Sequence, residues 1–116
     1  MHHDAASFYE SWPNQMGRVK EAAPDVPRAF APFFQGLMKE GALTVKQKEL
    51  IAMSIGVATR CEPCIYAHVE KCVKCGATRE EVLEAAGVAV MMGGGPVYTY
   101  MSVVVAALDA KLPAAG

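Results

Sequence analysis

No charged residue occurs between Ala85 and Leu108, a run of 24 positions. That is long enough to cross a bilayer as one helix. Glycines 93 to 95 followed by Pro96 interrupt it, leaving two short apolar segments suited to a buried core or a subunit interface rather than lipid. An excess of either charge is missing as well. Eleven basic residues face 12 acidic ones, for a net charge of −1, and no basic stripe interleaved with aromatics is present to follow a phosphate backbone, which excludes nucleic acid as a partner. The opening MHHDAASFYE has neither the charged n-region nor the apolar h-region of a secretory signal, so the chain is expected in a reducing cytoplasm. His2 and His3 read as terminal residues only. Internal repeats and low-complexity linkers are absent too.

What remains is the composition of a folded protein, 53% hydrophobic and 20% charged, with apolar residues recurring at helical rather than alternating spacing. The expected class is all-α, a compact bundle of about six helices. The first spans about Ser7 to Ala22, before Pro24. The second spans about Asp25 to Glu40, stops at Gly41, and carries Phe30, Phe33, Phe34, Leu37 and Met38 as packing residues. Thr44 and Gln47 form a capping box for a third helix, nearly all apolar from Leu50 onward and expected to be buried. A fourth opens near Pro63 and ends at Gly76. Thr78 and Glu81 cap a fifth, to about Met92, and a sixth runs from Pro96 to about Leu112.

The chemistry gathers on the fourth helix, in TRCEPCIYAH, residues 59–68. At about 100° per residue, Cys61, Cys64, Ile65, His68, Cys72 and Cys75 share one stripe. Cys61 and Cys64 lie at the helix N-terminus, where unpaired N–H groups, the macrodipole and the neighbouring Arg60 favour a thiolate. Cys72 and Cys75 lie in the last turns, where the dipole opposes a negative sulfur, and read as inert.

Two CxxC pairs raise the question of zinc, and spacing answers it. Cys61 and Cys72 are eleven residues apart, roughly 16 Å along a continuous helix, whereas one zinc ion needs every sulfur at about 2.3 Å. The intervening IYAHVEK holds no breaker. A smaller site using Cys64 and His68, an i, i+4 pair, stays open, as does simple packing of buried thiols. A dithiol one turn from an imidazole base favours redox chemistry over both.

Upstream, Glu49 shares a helical stripe with Val45, Met53 and Gly56, which puts a carboxylate at the border of an apolar face, a position suited to a proton carrier. Glu49, Cys61, Cys64 and His68 together read E-x11-C-x2-C-x3-H. This pattern resembles the signature of the AhpD-like alkylhydroperoxidases of the carboxymuconolactone decarboxylase family, and the likeness extends from about Pro27 to Leu108, the later GGGP included. The resemblance implies one AhpD-like helical domain over residues 1–116 with its core at about 27–112, assembly as a homotrimer or homohexamer, and a redox dithiol, Cys61 with Cys64, served by a Glu49 and His68 relay. It departs at Pro63, where the founding AhpD enzymes carry a further histidine. The decarboxylase branch does not depend on a CxxC, so the pair argues against lactone decarboxylation.

On this reading His68, oriented by Glu49, takes the proton of Cys64. Cys64 attacks a hydroperoxide or a disulfide substrate, Cys61 closes the ring, and a dithiol electron donor reopens it. No cofactor and no metal is called for. The rival functions are a metal-binding module, a family scaffold without activity and, despite the CxxC, a lactone decarboxylase-like enzyme. The uncharged sequence from Ala85 to Leu108 carries more apolar surface than a chain of 116 residues easily hides, which independently predicts a homo-oligomer.

Overall fold

Side-chain caps set where most of the helices begin. In the computed structural model, which describes residues 4–112, Asp4 accepts from the Ser7 backbone N–H and opens α1, Ala5–Ala22. Asp25–Met38 forms α2. Thr44 and Gln47 exchange reciprocal side-chain to backbone bonds and open α3, Val45–Ala58; Thr78 and Glu81 do the same for α5, Arg79–Gly93. Both boxes satisfy amides that a helix start otherwise leaves unpaired. Between them lies α4, Glu62–Lys74, with Cys61 itself as N-cap. The short α6, Gly95–Tyr98, and α7, Met101–Lys111, complete the chain.

The core lies where α3, α4, α5 and α7 meet: α3 packs most extensively on α4 and α5, and α4 also packs on α7. Met53, Val57, Ile65, Val69, Val82 and Val104 fill it and are fully buried. At 25–30 cal/mol per Å2 each such side chain contributes about 1.5–3 kcal/mol. Across the far side of α4, α1 lays Phe8 and Tyr9 on the buried Tyr66, with Phe8 and Tyr66 stacked at 4.5 Å between ring centroids. The Tyr9 hydroxyl donates to the Tyr66 carbonyl at 2.6 Å, and Lys111 both pairs with Glu70 at 2.7 Å and sits over the Tyr9 ring. Those contacts hold α1, α4 and α7 together. Pro13 and Pro32 lie inside α1 and α2 but on exposed faces, where the backbone carbonyl each leaves unpaired can turn to water.

Four expectations change. The sixth helix is two: i to i−3 bonds from Tyr100 to Val97 and from Val103 to Tyr100 tighten the chain, and the Thr99 hydroxyl donates back to the Pro96 carbonyl, so the α-helical ladder restarts at Met101. The second helix stops at Met38, two residues early, because Lys39 is already extended. Moreover, α3 is buried on one stripe only; Ile55 on the opposite side is 57% exposed. Of the α2 residues expected to pack, Phe30, Phe33 and Leu37 are likewise open, Phe33 being 63% exposed, whereas Phe34 is half-buried. His2 and His3 lie outside the described residues. No helix of the described residues is long and apolar enough to cross a membrane.

Candidate active site

The turn between α3 and α4 delivers the cysteines. Two crossed bonds close α3, from the Cys61 N–H to the Gly56 carbonyl at 2.9 Å and from the Arg60 N–H to the Val57 carbonyl at 3.0 Å. This is the Schellman arrangement, and it needs a left-handed residue at its centre. Arg60 takes that conformation, with φ 55°. Cys61 follows at once as an extended N-cap, and its sulfur accepts from the Cys64 backbone N–H at 3.3 Å. Cys61 therefore precedes the helix rather than lying on its stripe. Cys61 and Cys64 are joined as a disulfide, their Cα atoms 5.2 Å apart.

Behind the disulfide, α3 comes close. A Cβ placed on Gly56 would lie 3.1 Å from the Cys64 Cβ and 3.4 Å from the Ile65 backbone nitrogen, so the absence of a side chain there sets how near α3 runs to the first turn of α4. Two turns earlier on α3 is Glu49, only 5% exposed and the single charged residue in the core among those described. A lone buried carboxylate would be expensive. His68 meets it, with Nδ1 2.7 Å from Glu49 Oε1, and a carboxylate in that place leaves Nε2 as the imidazole nitrogen free for other chemistry. His68 lies one turn after Cys64 on α4.

Two contacts around this group carried no sequence signal. Phe34, reaching in from α2, stacks on the His68 ring at 6.2 Å and 25°, while Lys71 sits 4.3 Å over the other part of that arrangement, the Phe34 ring. The pairing spans 34 positions, beyond any local periodicity. The second is a cavity of about 350 Å3 beside the residues between the cysteines, lined by Phe8, Trp12 and Gln15 of α1 and by Glu62 and Pro63.

The other cysteines separate. Cys72 is fully buried and its thiol is pushed up to about 12, first by burial, then by the nearby Glu49 carboxylate and by Cys75; a sulfur so held stays protonated at neutral pH. Cys75 is exposed and unbonded. Among the described residues no three His, Cys, Asp or Glu side chains converge as a metal ion would require.

Comparison with known proteins shows the same fold elsewhere. Residues 24–109 match the carboxymuconolactone decarboxylase family. An uncharacterized protein of Cupriavidus necator is 33% identical over 96 residues, 83% of this chain and 85% of its own length. Among solved structures, a family protein of Legionella pneumophila in its apo form superposes with a TM-score of 0.85 at 38% identity, covering 91% of this chain and 95% of that one. A Thermotoga maritima family protein, for which a part in an antioxidative response has been suggested, gives 0.76 at 30% identity over 89% and 87% of the two chains. With most of its length accounted for and a CxxC at its centre, the chain belongs to the carboxymuconolactone decarboxylase family.

Proposed function

We propose that the protein is a thiol-dependent reductase of hydroperoxides or disulfides, of the alkylhydroperoxidase type, working in a reducing cytoplasm. The observation that carries this reading is the 2.7 Å contact of Glu49 with His68, set one helical turn from a cysteine pair already joined as a disulfide. A buried carboxylate that fixes an imidazole tautomer beside a dithiol is the arrangement that general-base activation of a thiol needs. The antioxidative role suggested for the Thermotoga maritima relative points the same way.

In the cycle, His68 takes the Cys64 proton and the thiolate attacks the hydroperoxide. The O–O bond breaks, an alcohol leaves, and Cys64 becomes a sulfenic acid. Cys61 then displaces water and forms the disulfide, and a dithiol donor returns both thiols at the expense of its own oxidation. With a disulfide substrate the attack releases two thiols instead. Glu49 and His68 move protons and Cys61 and Cys64 move electrons; the scheme requires neither metal nor cofactor.

The test is mass spectrometry of alkylated protein before and after an organic hydroperoxide. Two thiols should vanish from Cys61 and Cys64, and dithiothreitol should restore them. Cys64→Ser should stop peroxide turnover; turnover as fast as that of the unsubstituted protein would sink the proposal.

A further inference from the structure

Among the described residues the Schellman turn occurs twice, with different residues at its centre. At the end of α4 the Ala77 N–H reaches the Cys72 carbonyl and the Gly76 N–H reaches the Val73 carbonyl, and the central residue is Gly76 at φ 87°. At the end of α3 the same bonds enclose Arg60 at φ 55°. Left-handed backbone brings a Cβ against the following carbonyl, which is why glycine dominates this position. Arginine there is the less stable choice. A non-glycine residue held in that region is a reason to look for what its side chain does.

Inside the chain the side chain has no partner: Arg60 is exposed, and among the described residues no hydrogen bond, ion pair or ring contact holds its guanidinium. The position, by contrast, is informative. Arg60 is bonded directly to Cys61 and faces solvent, while the side chains of Glu49 and His68 are largely withdrawn from it. Glu62, the nearest acidic residue in sequence, is half-buried and turned into the α1 cavity, so it does not neutralise the cation outside.

We propose that Arg60 occupies a glycine position in order to place an unpaired cation beside the redox pair, so that the site selects substrates bearing a carboxylate or similar anion close to the reacting bond. This inference rests on the thiol-reductase reading. For a disulfide substrate, one thiolate attacks and expels an anionic thiol. The second resolves the mixed disulfide and expels the other, leaving the Cys61–Cys64 disulfide and two reduced product thiols.

The experiment uses three disulfides of matched length: dithiodiglycolate, a dianion; hydroxyethyl disulfide, neutral; and cystamine, a dication. Each is mixed with reduced protein, and the loss of the Cys61 and Cys64 thiols is timed. The ratio of dianion to dication rates cancels any general change in thiol reactivity. Arg60→Gly should lower that ratio at least about fivefold, the factor expected for one unit charge at about 4 Å in water, and Arg60→Lys should largely keep it. Added salt should shrink the difference. Arg60→Gly should also melt higher by about 4 °C, since glycine suits the turn. An unchanged ratio in Arg60→Gly, with all three disulfides still oxidising the pair, overturns the proposal and leaves the reductase reading standing. If no disulfide or hydroperoxide oxidises the unsubstituted pair, the reductase reading fails first. A lower melting temperature in Arg60→Gly overturns the premise that the residue is kept for function.

Discussion

Gly56 is where the site and the core become the same object. Glycine to alanine within a helix normally stabilises by about 1 kcal/mol, because the unfolded chain loses freedom. Here the sign should reverse. The new methyl group would meet the Cys64 Cβ and the Ile65 backbone nitrogen, and backbone cannot move aside as the end of a flexible side chain can. Gly56→Ala should cost about 1–3 kcal/mol in denaturant unfolding and slow oxidation of the Cys61–Cys64 pair; a stabilised variant with unchanged kinetics would show that α3 and α4 do not run this close. Helical spacing made legible Cys61 and Cys64 with His68 one turn on, and Glu49 at the border of an apolar face; grouping all four as one site came from the E-x11-C-x2-C-x3-H resemblance. Phe34 was not legible, since the turn that carries α2 over His68 leaves no trace in either helix's periodicity. Nor was the role of Gly56 as a contact point, although its place on the Glu49 stripe was, because the closeness of approach depends on the whole α3–α4 packing.

At the scale of elements, boundaries were readable wherever a side chain makes them. Thr44 with Gln47 and Thr78 with Glu81 form the boxes their spacing predicts. Boundaries made by backbone alone were harder: nothing in TRCEP announces that Arg60 adopts a glycine conformation, and the tightening at Thr99 and Tyr100 sits inside an uncharged stretch with no glycine or proline after Pro96 to mark it. The α5 box also has a pH signature. Glu81 bonds the Thr78 N–H at 2.8 Å and the Lys46 ammonium at 3.0 Å, and its carboxyl is held below the ordinary range, first by that backbone N–H and then by Lys46. A carboxyl with a lowered folded pKa contributes stability that is present above its unfolded value of about 4.3 and is lost as pH falls through the folded value. Glu81→Gln should therefore flatten the acid limb of the stability curve below about pH 4.3 and be less stable at neutral pH, where the charge is complete. Parallel acid limbs in urea titrations of the two proteins would refute the assignment.

For the whole molecule, the apolar residues that stay outside decide what is still missing. On α2, Val26, Phe30, Phe33 and Leu37 fall four, three and four residues apart, one exposed ridge. Between α3 and α5 runs a groove of about 400 Å3, nearly devoid of polar surface and walled by Ile51, Ile55, Ala58, Val88 and Met92, the last 77% exposed. Apolar patches of this extent mark interfaces rather than free surface. Ridge and groove belong to different parts of one chain, so we propose that the ridge of one copy enters the groove of the next. Such a contact is heterologous and either closes into a ring or grows without limit; closure at three subunits, with or without stacking of two rings, would give the homotrimer or homohexamer that the resemblance implies. Ile55→Asp puts a charge at the middle of the groove, where the isolated chain already exposes the side chain, so folding should be spared. Circular dichroism should stay helical while analytical ultracentrifugation moves from trimer or hexamer to monomer. Loss of helix together with assembly would point to a structural role for Ile55 instead, and an unsubstituted protein that sediments as a monomer would remove the interface altogether.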